Sequence, residues 1–156
     1  MGAREEALLL GVRALGEHLG EVRVSSLYET APRSPIAQPD YLNAAVVAST
    51  TMSPEELLGL AKAVEWRAGR RPGVRWGPRP LDIDLLLYGD VVRSSPELSL
   101  PHALLTTRAF YLEPLAEVGG QLRVPPTGDT VADLLARLGP RTRGRQKAWS
   151  GGAASA

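Results

Sequence analysis

The chain has no cysteine, one phenylalanine and two histidines among its 156 residues. The missing thiols exclude a disulfide framework, a thiolate nucleophile and Cys-ligated metal. Two histidines, His18 and His102, are too few for a histidine-rich metal cluster. No apolar run reaches the ~20 residues that span a bilayer. The N-terminus has no basic stretch leading into an apolar core and a small-residue cleavage site, so secretion is not expected and the expected location is the cytoplasm. An excess of either charge is also lacking. Eighteen Lys and Arg stand against 17 Asp and Glu, a formal net charge of +1, which gives no global field to attract nucleic acid or a membrane surface. What remains is an ordinary globular composition, 44% hydrophobic and 22% charged, of a length that suits one domain with a modest core.

Ala7, Leu8, Val12, Leu15 and Leu19 recur at helical spacing and predict a helix over 4–18. EVRVSSLYET and YLNAAVVAST predict strands over 21–30 and 41–50. Ser53-Pro54-Glu55-Glu56 has the form of a capping box with proline in the first turn, opening a helix to about residue 68. LDIDLLLYG predicts a third strand over 81–89, turned by Gly89-Asp90, and 91–102 reads as mostly extended. A largely helical stretch is expected over 104–118, limited or kinked by Pro114. A short strand is expected at 121–124 and a terminal helix over 130–138, capped by Asp129 or Thr130. Residues 30–40 and 69–80 hold three prolines each and read as long loops, which in a compact domain are more often functional than idle. The basic, Gly/Ala/Ser-rich residues 141–156 are expected to form a loose tail, which places the domain at 1–140. Strands interleaved with helices predict an α+β fold.

The stretch RWGPRPLDIDLLLYG, Arg75 to Gly89, sets Asp82 and Asp84 in an otherwise apolar run. In a strand, residues two apart share a face, so both carboxylates project together while Leu81, Ile83 and Leu85 turn the other way. Adjacent carboxylates repel and are costly to desolvate, and a cation between them relieves both costs. All-oxygen donors suit Mg²⁺, which keeps waters and shares phosphate oxygens with its substrate. The same pattern also describes a solvated edge strand whose charges prevent pairing. Arg67, Arg70, Arg71, Arg75 and Arg79 lie just ahead, and guanidinium groups beside Mg²⁺ form an electrostatic frame for polyphosphate. Paired Asp residues also serve Mg²⁺-dependent phosphate-ester hydrolases. A nucleic-acid-binding domain would use the Arg70–Arg79 cluster and Trp76, with 137–147 as a second basic arm. The near-zero net charge and the same-face carboxylates disfavour that reading.

The run Gly77-Pro78-Arg79-Pro80-Leu81-Asp82-Ile83-Asp84-Leu85-Leu86, preceded by Trp76, resembles the signature of the 6-hydroxymethyl-7,8-dihydropterin pyrophosphokinases of folate biosynthesis. Further segments agree in order and spacing: Ser25-Ser26-Leu27-Tyr28-Glu29-Thr30, Gln38-Pro39-Asp40-Tyr41-Leu42-Asn43-Ala44-Ala45, Glu65 with Gly69-Arg70, Pro101-His102, and Arg108-x-Phe110. The resemblance covers roughly residues 2 to 138. It implies a monomeric ferredoxin-like α/β sandwich with an antiparallel sheet. It also implies transfer of pyrophosphate from ATP to the hydroxymethyl group of a reduced pterin, with AMP as the other product. Members of that family open with a hydrophobic strand ending in Gly-Ser-Asn-Leu-Gly. Met1-Gly2-Ala3-Arg4-Glu5-Glu6 resembles the residues that follow it, so the family's first strand is expected to be missing from this sequence and the true start to lie upstream.

By the resemblance, Asp82 and Asp84 bind two Mg²⁺ that bridge the ATP phosphates. Arg70, Arg75 and Arg79 compensate charge on the moving phosphoryl group from a loop that closes over the substrates. Glu65, Trp76, His102 and Arg108 hold the nucleotide. Tyr41 and Phe110 stack on the pterin, Asn43 reads its polar edge, and Thr30 with the backbones of Ala31 and Arg33 completes the pocket. Read without the resemblance, several of these positions have plainer roles. Arg79 suits a surface ion pair, Trp76 a loop anchor, Glu65 a solvated helix face, His102 a helix cap and Phe110 a core residue. Asn43 inside a strand needs a hydrogen-bonding partner under either reading.

Overall fold

The computed structural model describes residues 2–30, 41–69, 81–140 and 144–150. Helix α1 (Ala3–Gly16) stops short of the predicted end, and the chain turns at Glu17-His18. Helix α2 (Pro54–Arg67) opens as its sequence predicts. The Ser53 hydroxyl accepts from the Glu56 N–H at 3.1 Å, and the Glu56 carboxylate accepts from the Ser53 N–H at 2.9 Å. This satisfies two of the donors that every helix start leaves open. Ala14 of α1, Val64 of α2 and Leu81 meet in a small apolar cluster.

The two long predicted strands are each split. Strands β1 (Gly20–Val24) and β2 (Leu27–Thr30) run antiparallel to β4 (Val46–Ser49) and β3 (Tyr41–Asn43) respectively. The interruption falls at Ser25-Ser26 opposite Ala44-Ala45. There the Ser25 hydroxyl accepts the Ala45 N–H at 2.8 Å, and the Ser25 N–H donates to the Ala45 carbonyl at 2.9 Å. A side-chain oxygen stands in for a ladder carbonyl, so the ribbon breaks its ladder without orphaning the Ala45 amide.

The predicted third strand is corrected. Residues 81–88 form no ladder with the described residues. Their alternation survives, with Asp82 and Asp84 exposed, Leu81 buried and Ile83 half-buried. Alternation reports two different faces, whereas a strand also needs a neighbouring backbone edge. Here the backbone takes other partners: the Ile83 N–H donates to the Glu65 carboxylate at 2.7 Å, and the Leu86 carbonyl accepts the His102 N–H at 2.9 Å.

Beyond it, β5 (Arg93–Ser94) and β6 (Ser99–Leu100) form a short hairpin. The helix expected from 104 is in two pieces, a 3₁₀ turn at Leu105–Thr107 and helix α3 (Ala109–Gly119), with Arg108 extended between them. Pro114 sits inside α3 and does not end it. Strands β7 (Arg123–Val124) and β8 (Asp129–Thr130) pair and lead into α4 (Val131–Leu138). Thr130 caps α4, accepting the Asp133 N–H at 3.1 Å. Leu112 and Leu115 of α3 pack with Val131, Leu134 and Leu135 of α4 to form the main core, against which Val47 of β4 rests.

Part of the expected loose tail is built into the sheet. Strand β9 (Arg145–Lys147) pairs antiparallel with the outer edge of β2. The Trp149 indole N–H donates to the Ser25 carbonyl at 2.8 Å. Ser150 donates its backbone N–H and its hydroxyl to Glu5, which is only 3% exposed, at 2.8 and 3.0 Å. Composition registers how little apolar surface this segment has to bury. It does not register an open strand edge and a buried carboxylate elsewhere in the chain that need its donors. Helices and antiparallel strands together make an α+β fold.

Candidate active site

The segment carrying Asp82 and Asp84 is pinned at three points. Leu81 is buried at 4% exposure against α1. A Cβ on Gly11 would lie 3.0 Å from Leu81 Cδ2, so the bare backbone at position 11 lets the helix approach this closely. Glu65, 8% exposed at the last turn of α2, accepts the Ile83 N–H between the two aspartates. His102 holds Leu86 through its backbone. Alternation then turns both carboxylates outward on one side.

The first turn of α3 faces them. The Tyr111 hydroxyl donates to Asp84 Oδ2 at 2.8 Å and lies 3.5 Å from His102 Nε2. The Tyr111 ring is tilted against His102 at 4.7 Å between centroids and against Phe110 at 4.5 Å. Burial pushes the Tyr111 phenol well above its ordinary value. The bond to Asp84 and the charges of Asp84 and Asp82 add to this, and Arg108 opposes it. The phenol therefore stays protonated, and a donor, throughout the neutral range.

Asn43, Asp82, Asp84, Phe110 and Tyr111 line one cavity of about 470 Å³, whose remaining wall is largely aliphatic. Four of these five are residues that the sequence singles out. Tyr111 is not, because no spacing rule links position 84 to position 111; an aromatic residue with a polar tip beside Phe110 was the available hint. The other predicted residues fall around this centre or outside it. Arg108 is half-buried at the start of α3 and near enough to act on the Tyr111 phenol. His102 is half-buried, with Nδ1 accepting the Leu104 N–H at 3.1 Å. Glu65 is turned inward to Ile83 instead of lying on a solvated helix face. Tyr41 is 53% exposed on β3 and is not among the cavity-lining residues. Thr30 lies opposite Tyr41 in the β2–β3 register, and among the described residues its buried hydroxyl has no hydrogen-bond partner. Ala31, Arg33, Arg70, Arg75, Trp76 and Arg79 lie outside the described residues.

The donor set for a cation is two carboxylates, and among the described residues no group of three or more acidic or His side chains is gathered for one. Two hard oxygen donors beside an open cavity fit a cation that keeps waters and takes further oxygens from a phosphate-bearing substrate. They do not make a dedicated all-protein cage.

A family model described as 7,8-dihydro-6-hydroxymethylpterin-pyrophosphokinase matches residues 1–120. The 2-amino-4-hydroxy-6-hydroxymethyldihydropteridine pyrophosphokinase of Pseudomonas aeruginosa is 41% identical over 123 residues, 77% of this chain and 75% of that protein. The protein of the same name in Bacillus subtilis is 39% identical over 129 residues, 81% of this chain and 77% of its own. The mitochondrial folate synthesis bifunctional protein of Arabidopsis thaliana is 47% identical over 110 residues, 70% of this chain but 19% of that much longer protein.

Proposed function

The chain belongs to the 7,8-dihydro-6-hydroxymethylpterin-pyrophosphokinase family, and we propose that it transfers the pyrophosphoryl group of ATP to 6-hydroxymethyl-7,8-dihydropterin in folate synthesis. The pterin hydroxymethyl oxygen forms a bond to the β-phosphorus. The α–β bridging bond breaks, its electron pair leaves with AMP, and the hydroxyl proton is released. No covalent enzyme intermediate is required.

The observation that carries this reading is that Asn43, Asp82, Asp84 and Phe110 line a single cavity. Asp82 and Asp84 would hold two Mg²⁺ against the triphosphate. Bound there, Mg²⁺ would supply charge neutralisation for the phosphates and Lewis acidity for the attacking hydroxyl. The remaining work belongs to the chain. Glu65 keeps the Asp82–Asp84 segment in place through Ile83. Arg108 and His102 are assigned to nucleotide contact, and Arg70, Arg75 and Arg79, with Trp76, to charge compensation and nucleotide contact over the phosphates. Phe110 offers a face for the pterin ring, with Tyr41 assigned to the opposite face. Asn43 supplies a donor and an acceptor for the polar edge. The Thr30 hydroxyl, without a hydrogen-bond partner among the described residues, is assigned to that edge together with the backbones of Ala31 and Arg33. The protein acts as a cytoplasmic monomer on small molecules, not on nucleic acid or a membrane surface.

We extend the proposal to the finer architecture. Val46, Val47 and Ala48 of β4 and Leu85, Leu86 and Leu87 line the aliphatic part of that cavity, and a further strand seated there would make a ferredoxin-like sandwich and leave Asn43, Asp82, Asp84 and Phe110 to the substrates. Slow amide exchange at 83–87 together with 46–49 supports that strand, and fast exchange at 83–87 refutes it. The activity is tested by chromatographic detection of AMP from ATP and Mg²⁺ with and without the reduced pterin. AMP that forms only with pterin is the expected result. Phosphate or ADP released without pterin refutes the transferase reading in favour of a Mg²⁺-dependent hydrolase.

A further inference from the structure

We propose that residues 144–147 are a strap that holds the two sides of the pterin site in place, with Gly144 and Glu113 as its positioning residues. The proposal rests on the assignment of Phe110, Asn43, Tyr41 and Thr30 to the pterin and goes beyond it, to what fixes the elements that carry them.

Those four residues stand on two elements. Phe110 is in the first turn of α3, whereas Thr30, Tyr41 and Asn43 belong to the β2–β3 ribbon. Strand β3 occupies one edge of β2 and β9 occupies the other. Tyr28 of β2 thus lies between Asn43 on one side and Gln146 on the other. The strap grips both faces of β2. Arg145 Nη2 and Lys147 Nζ take the two carboxylate oxygens of Glu29, at 2.9 and 3.2 Å. Gln146 turns to the opposite face, where it donates to Ser26 Oγ at 3.1 Å and to Glu117 of α3 at 3.4 Å. Glu117 also accepts the Tyr28 hydroxyl at 2.8 Å.

At Gly144 the strap meets both sides of the site at once. Its N–H donates to Glu113 Oε1 at 2.7 Å. Glu113 is 9% exposed and stands three residues after Phe110, on the same side of α3. A carboxylate this buried holds its donors firmly. A Cβ on Gly144 would lie 2.6 Å from Thr30 Cγ2 and 2.7 Å from the Glu29 carbonyl oxygen. The second obstacle is backbone and cannot rotate aside, so only the bare residue lets the strap pass this close to β2. One residue therefore bonds the helix that carries Phe110 and packs on the strand that carries Thr30. Trp149 and Ser150 anchor the chain beyond it, on Ser25 and Glu5.

The test titrates 6-hydroxymethyl-7,8-dihydropterin calorimetrically into protein saturated with Mg²⁺ and a non-hydrolysable ATP analogue, and the analogue separately into free protein. Gly144→Ala forces the strap off β2, and Glu113→Leu removes the acceptor on α3. Each is expected to weaken pterin binding by about ten-fold and to leave the analogue's affinity within about two-fold. Glu113→Gln keeps an oxygen that accepts the Gly144 N–H and should stay close to wild type. A segment that only stabilised the fold would lower the melting temperature without this selectivity. A second readout needs no variant. A strap that holds the ribbon for the pterin is itself held by the pterin, so amide exchange at 145–147 of the wild type should slow when pterin joins the nucleotide complex. Unchanged pterin affinity in the folded variants, or equal losses for both ligands, overturns the proposal while wild-type pterin binding leaves the function standing. Unchanged exchange at 145–147 with pterin bound also overturns it, whether or not the variants fold. A wild type that binds the analogue but no pterin removes the pyrophosphokinase reading, and the proposal with it.

Discussion

Glu65 separates two accounts of the site, one in which it touches ATP and one in which it supports the aspartates from behind. Its carboxylate is 8% exposed and accepts the Ile83 N–H at 2.7 Å, between Asp82 and Asp84. Glu65→Leu keeps the bulk and removes the acceptor. The Ile83 N–H is then left without its carboxylate in a half-buried position, a loss of about 1–3 kcal/mol. At about 3 °C per kcal/mol for a chain of this size, the melting temperature should fall by about 3–9 °C. Glu65→Gln retains an amide oxygen that can accept the same N–H, so it should recover most of that loss. The support role predicts the drop in the absence of any ligand, because the bond is made within the free protein. Nucleotide affinity should fall alongside it, since Ile83 no longer holds its neighbours in register. Differential scanning calorimetry of the ligand-free proteins provides the measurement. A ligand-free Glu65→Leu protein that melts with the wild type, yet binds the nucleotide poorly, would refute the argument and return Glu65 to direct contact with ATP.

Asp84→Asn should abolish most AMP formation and weaken Mg²⁺ binding in the nucleotide complex while leaving the melting temperature within a few degrees; full activity at saturating Mg²⁺ would contradict the assignment. Phe110→Ala should weaken pterin binding by about ten-fold, a stacking contribution on the order of 1 kcal/mol plus lost contact area, with ATP binding nearly unchanged by calorimetry; equal losses for both ligands would indicate general disruption. The Asp129 carboxyl is held below its ordinary value of 3.8 by its hydrogen bond from Arg137 and then by that from Thr127. A carboxyl lowered by folding stabilises the protein above its unfolded value and loses that contribution as pH falls through the lowered folded value. The gap in melting temperature between wild type and Asp129→Asn should therefore be open at pH 6 and close below 3.8, and a gap that persists or widens in acid would contradict it.

Local chemistry was legible where the deciding groups lie within one turn of each other. The start of α2 follows from Ser53, Pro54 and Glu56, which satisfy the helix end among themselves. The two faces of 81–84 follow from strict alternation. The chain of motifs from Ser25 to Phe110 pointed to the same family as the comparisons. The splitting of the two long strands was not legible. It depends on Ser25 Oγ meeting the Ala45 N–H, a contact between residues twenty apart. The docking of 144–150 was hidden for the same reason, since Glu5 and the edge of β2 create the need for its donors.

The sequence by itself determined which residue types are on offer to the proposed chemistry: two hard carboxylates two residues apart, an Asn that requires a partner, and an aromatic face. These are properties of side-chain type and short spacing, which survive any arrangement of the rest of the chain. Only the tertiary structure decided how they are presented. It brought Tyr111 onto Asp84, turned Glu65 from a helix surface toward Ile83, and placed Asn43 in the same cavity as Phe110. Among the described residues it gave 81–88 other partners than a ladder: the Ile83 N–H donates to a side chain and the Leu86 carbonyl accepts from the His102 backbone. Each of these depends on which element packs against which. That is settled by burial of apolar faces over the whole domain, and no local spacing encodes it.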